Sequence, residues 1–161
     1  MSIIFLIYRN MSGVILDSQR IKNISQEILY TNTYIQNISD KSYIRIDSYD
    51  KDPKDTITMI DKDSFEYKID KECLWDKCWI YSNDKDGNNK LTNPWTTYIS
   101  SLSFITIPFI NPSNVNKNLD KANIKNIYSR WFWMIWEIKG KKSDPDTQSI
   151  KIQTFFGTRA Y

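Results

Sequence analysis

The strongest constraint on this chain is the recurrence of short runs in which apolar and polar residues alternate. Phe65, Tyr67 and Ile69 alternate with Glu66, Lys68 and Asp70. A period of two places the three apolar side chains on one face of a strand and the charges on the other. Ile44 and Ile46 repeat the pattern within Tyr43–Asp47, and Ile57 and Met59 repeat it again. Tyr98–Phe109 is a longer run rich in Ile, Phe, Ser and Thr, and Ile150–Phe156 is the last. Trp131–Ile138 is apolar on both faces apart from Glu137, which suits a central strand. Ile3–Tyr8, a continuous apolar run of six residues, and Val14–Leu16 read as further strands around a Ser12-Gly13 turn.

Polar turns separate these runs at short spacing. Asp84-Lys85-Asp86-Gly87 carries an Asp-Gly hairpin signal, and Asp144-Pro145-Asp146 is a turn. The expected fold is therefore mainly β: one domain over residues 1–161, built as an antiparallel β-sandwich of jelly-roll or immunoglobulin-like type. An α+β fold is the alternative. One short helix is expected near residues 18–29, where Ile21, Ile24 and Ile28 begin a seven-residue pattern continued by Thr31, Ile35 and Ile38. Asp17 or Ser18 could cap it. Thr31-Asn32-Thr33-Tyr34 argues against its extension, because β-branched residues and Asn are poor helix formers. Ser113–Tyr128 holds five Asn residues and reads as a loop with a helical turn.

The chain has no His. That removes imidazole-activated nucleophiles and imidazole metal ligands. Two Cys are too few for the usual structural zinc site. No cofactor, metal or enzymatic activity is expected. Glu137, buried among Trp rings, would have a raised pKa and could serve a carboxylate-dependent hydrolase. A strand-end Glu paired with Lys139 or Arg130 explains it more simply. Ser82–Gly87 resembles half of a calcium loop but lacks the charged first and twelfth ligands. The acidic patch Asp47, Asp50, Asp52 and Asp55 reads as a solvated loop. A net charge of +3, with no dense basic block, gives no reason to expect nucleic acid.

Cys73 and Cys78 read as reduced thiols of a cytosolic protein, with a local disulfide as the alternative. No apolar run is long enough to span a bilayer. The opening lacks a basic leading region and a cleavage site, so synthesis in the cytoplasm is expected, with later release open.

Aromatic residues make up 14% of the chain, including six Trp. Trp131 and Trp133 share one face of their strand and Trp136 takes the other; all three read as core. Loop aromatics on a rigid scaffold make good contact residues. Trp95, after Asn93-Pro94, and Trp75, beside Asp76-Lys77, are the first candidates, with Tyr98 and Tyr81 nearby. The expected function is a non-enzymatic binding or self-assembly module that meets a glycan, a lipid headgroup or a protein, or forms a homo-oligomer. The alternative is an inhibitor or accessory protein from a virus or mobile element that binds a host protein.

Overall fold

The computed structural model describes residues 2–45, 53–85, 87–107, 131–139 and 149–158, with the backbone alone over 2–14. The described residues form one helix, α1 (Ser2–Ser39), followed by eight strands. These are β1 (Ser42–Ile44), β2 (Ile57–Asp61), β3 (Glu66–Leu74), β4 (Lys77–Asp84), β5 (Gly87–Lys90), β6 (Tyr98–Ile107), β7 (Trp131–Lys139) and β8 (Ile150–Gly157). They form two antiparallel sheets, β1-β2-β3-β4-β5 and β6-β7-β8. The expected mainly β class, with two sheets and one helix, is what the structure has. In both sheets the spatial neighbours are also neighbours in sequence, so each sheet is a meander.

The alternating runs behave as their period dictates. On β7 the side chains of Phe132, Met134, Trp136 and Ile138 are buried, and those between them face outward, half-buried or exposed. β6 carries an irregularity between Ile99 and Ser101. One extra residue there lets Ile99 and Leu102 both point inward although they are three apart. The two sheets meet where β4 approaches β6 and where Lys54 and Phe104 exchange backbone hydrogen bonds of 3.0 and 2.6 Å. Ile44, Met59, Ile69, Ile80, Phe104 and Trp136 belong to one continuous core fed by both sheets and the helix.

The helix differs most from expectation. It runs for 38 residues, about 57 Å at 1.5 Å per residue. The expected strands Ile3–Tyr8 and Val14–Leu16 are part of it. Period alone cannot separate a buried strand from a helical segment in so short an apolar run. Beyond residue 29 the helix continues to Ser39 because its poor helix formers have tertiary partners. Thr31, fully buried, donates its hydroxyl to the Leu91 carbonyl at 3.1 Å. The Tyr34 hydroxyl donates to the Asp84 carboxylate. Thr154 donates to the Asn32 side-chain oxygen at 3.3 Å. Such contacts outweigh a propensity cost of a few tenths of a kcal/mol per residue (~0.7 at most). Ile24, Ile35 and Ile38 join the core, with Ile28 packed against it. Ile21 remains 60% exposed, although Ile24, one turn further on, is buried.

Among the described residues, no helix is long and apolar enough to cross a membrane. The expectations for Ile46, Asp47, Asp50, Asp52, Ser113–Tyr128 and Asp144-Pro145-Asp146 lie outside the described residues.

Candidate functional site

Trp75 occupies the tip of the β3–β4 hairpin. Leu74 pairs with Lys77, so Trp75 and Asp76 form a two-residue turn. The next pair is Cys73 with Cys78, and the two are joined by a disulfide at a Cα–Cα distance of 4.1 Å. This corrects the reading of two reduced thiols. The register places residues five apart in sequence directly opposite each other, which brings their side chains together. Trp75 has a φ of 61°, a left-handed conformation that a bulky side chain rarely adopts. Hairpin pairing and the covalent bond together hold it there, leaving the indole 92% exposed.

Trp95 lies in the loop between β5 and β6. Leu91 and Thr92 anchor the start of this loop: the Leu91 amide donates to the Ile80 carbonyl at 2.8 Å, and the Thr92 hydroxyl accepts from the Ile80 amide at 3.0 Å. Asn93 then forms an Asx turn, its side-chain oxygen accepting from the Trp95 amide at 3.0 Å. The helix clamps the turn from the other side. The Glu27 carboxylate accepts from the Asn93 amide at 3.2 Å and from the Thr96 and Thr97 hydroxyls at 2.7 and 2.6 Å. Trp95 is 69% exposed on this fixed loop.

The two rings share a cleft of about 240 Å³, walled by Leu74, Trp75, Lys77, Trp79, Pro94 and Trp95. On its helix side Trp95 also borders a cleft of about 450 Å³ with Glu27, Tyr30 and Asn93. A third, of about 270 Å³, lies between Trp95 and Leu16, Arg20 and Asn23. Leu16, Arg20, Asn23, Glu27 and Tyr30 recur at helical spacing, so one face of α1 runs beside the loop for about 21 Å. Trp95 is the point at which the three clefts meet. Lys77 places its ammonium 3.0 Å from the centre of the Trp95 ring, and Lys90 sits 4.8 Å from that of Trp79.

Of the residues singled out in sequence, Trp95 and Trp75 are therefore brought together. Tyr81 and Tyr98 are half-buried on β4 and β6 and lie outside these clefts. Trp136 is buried in the core as expected, but Trp131 is 48% exposed and Trp133 half-buried on the outer face of the second sheet. Trp131 stacks on Phe155 at 6.4 Å and Trp133 meets the same ring at 4.9 Å. Glu27, Lys77 and Lys90 carried no signal in sequence. The partners of Glu27 are 66–70 residues away, and a lysine is ordinary on any surface.

The acidic groups have other work. Glu137 faces outward on β7, and hydrogen bonds from Ser149 and Ser100 hold its pKa below the usual value. A general acid requires the opposite shift. In the β4–β5 hairpin the Asp84 carboxylate accepts from Tyr34 and Asn89. Lys85 bridges Asp61 at 2.9 Å and Asp63 at 3.4 Å. Asp61 is buried, which favours its neutral form. The Lys85 ammonium and the amides of Phe65 and Asp63 outweigh that and lower its pKa. Burial and the bond to Asp84 push the Tyr34 phenol up, so it remains a donor. Among the described residues, no group of three or more carboxylates or thiols is placed to hold a metal ion.

No family model matches this chain, and neither the curated proteins nor the solved structures hold a significant match. The functional reading rests on the geometry alone.

Proposed function

We propose that the chain is a non-enzymatic binding module that lays a glycan chain along the Trp75–Trp95 cleft. One observation carries the reading: two indoles stay exposed to water while the backbone beneath each is firmly held. A disulfide and a strained turn fix Trp75, and a three-donor carboxylate clamp fixes Trp95. Folding alone gains little from holding exposed rings still. A ligand gains much, because contact groups ordered in advance lose less entropy on binding. Flat indoles offer the apolar platform that a sugar face needs. The clefts run on along the helix from Trp95, which suits a linear chain better than a compact molecule. A disulfide also fits an oxidising compartment, where extracellular glycans are met.

A glycan array with the wild type, Trp75→Ala and Trp95→Ala tests this. The expected result is binding to a defined set of oligosaccharides, at least about tenfold weaker in each variant, with thermal midpoints within about 2 °C of the wild type. Absence of glycan binding, or variants that bind like the wild type, would overturn the reading.

A second reading is self-association through the outer face of the second sheet, favoured by the exposed Trp131–Phe155 stack. It predicts a concentration-dependent sedimentation coefficient that Trp131→Ser abolishes. A monomer at all concentrations contradicts it.

A further inference from the structure

We infer that the glycan is acidic, and that Lys77 and Lys90 receive its carboxylates; this rests on the glycan reading above. Arg45, Lys68 and Lys85 each have a carboxylate partner, Glu66, Asp70 and Asp61 respectively. Lys77 and Lys90 differ from these three, and also from Lys41, Lys62 and Lys151, which likewise lack a carboxylate partner among the described residues, in the Trp ring each lies against. Among the described residues neither forms an ion pair, and each ammonium is held against a Trp ring instead. An indole face orients a cation without neutralising it, so its outward N–H donors stay available to a ligand.

Both lysines wall the hairpin-side cleft, and Lys90 also borders the helix-side one. The opposing acids do not cancel them. Asp76 is the one carboxylate among the residues of the hairpin-side cleft. On the helix side, Glu27 is already engaged by three donors. The hairpin-side cleft thus carries two cations to one anion beside two exposed indoles. A uronic acid residue matches this pairing: its apolar ring face lies on Trp75 or Trp95, and its carboxylate reaches a lysine. A neutral sugar would use the rings and leave the ammonium groups without a partner. A bare anion would use the ammonium groups and leave the rings wet.

The test is calorimetric titration of the oxidised full chain with hexagalacturonate, hexaguluronate and a hyaluronan hexasaccharide. The methyl-esterified form of each serves as its uncharged counterpart, and a neutral hexasaccharide panel runs alongside. At least one acidic oligomer should bind, with its ester at least about tenfold weaker. Lys77→Gln with Lys90→Gln should bring the acid down to the affinity of its ester, and raised salt should do the same. Neither lysine is itself buried, and an unchanged circular dichroism spectrum checks the fold of the double variant. Esters or neutral sugars binding as well as acids, unaffected by the lysine changes, would overturn the acidic preference and leave the glycan reading standing. Failure of every sugar, acidic and neutral, would overturn both. Binding to anionic vesicles that survives Trp75→Ala and Trp95→Ala, with no sugar bound, would do the same.

Discussion

Replacing Glu27 by Ala should release the Trp95 loop while leaving the sheets intact. The carboxylate accepts three hydrogen bonds, from the Asn93 amide and the Thr96 and Thr97 hydroxyls. A bond to a charged acceptor contributes about 1.5–3 kcal/mol. The three do not add up in full. Each hydroxyl has one proton and a second acceptor, the Asn93 carbonyl, at 3.0 Å from Thr97 and 3.4 Å from Thr96. The clamp also lies partly in water, where such bonds are weakened. A net loss of about 2–3 kcal/mol follows, felt first by the loop that the clamp closes. At 1.4 kcal/mol per factor of ten, opening of the loop becomes about 30- to 140-fold more frequent. Hydrogen exchange reads this directly: the amides of Trp95, Thr96 and Thr97 should lose protection by that factor, and those of β7 should not change. Glu27→Gln keeps one acceptor and should lose less. Equal protection of these amides in wild type and Glu27→Ala would refute the clamp.

Three further outcomes follow from the same structure. Asp61 has a lowered pKa, so the unfolded chain binds its proton first as pH falls. Its stabilising contribution is complete above about pH 4 and disappears as pH drops through the lowered folded value. Asp61→Asn should therefore flatten the acid limb of a stability–pH curve, and an unchanged limb would contradict the assignment. Ile35→Ala should cost about 2–5 kcal/mol in urea denaturation, because Ile35 is fully buried, whereas Ile21→Ala should stay within about 0.5 kcal/mol; similar losses at both positions would place the helix wrongly. Replacing Cys73 and Cys78 with Ser opens a loop whose closure is worth about 2 kcal/mol, or roughly 4–8 °C in thermal midpoint; a shift below about 1 °C would show that the bond restrains nothing.

How much of this was legible in sequence depended on whether the signal was local. β3 could be read from Phe65–Asp70 because its alternation lies within six consecutive residues. The seven-residue pattern Ile24–Ile38 was also legible. Its true length was not, since the groups that rescue Thr31 and Tyr34 are the distant Leu91 and Asp84. The opening run Ile3–Tyr8 had no turn residue inside it to separate strand from helix. Trp95 announced itself through Asn93-Pro94, a local turn. The Trp75 turn did not, because neither Trp75 nor Asp76 is Gly or Asn. With that turn unread, the facing of Cys73 and Cys78 was hidden as well. Apolar residues on both faces of Trp131–Ile138 suit a strand covered on both sides, which in sequence places Trp131 and Trp133 in the core. Only the arrangement of the sheet shows that one side of β7 faces out.

Which indoles meet the ligand decides the function. The six Trp side-chain N–H resonances of the ¹⁵N-labelled chain, followed during titration with an acidic hexasaccharide, report this one ring at a time. The Trp75 and Trp95 signals should move together and saturate, while that of the buried Trp136 stays in place. Saturating shifts at Trp131 and Trp133, with Trp75 and Trp95 still, would contradict this.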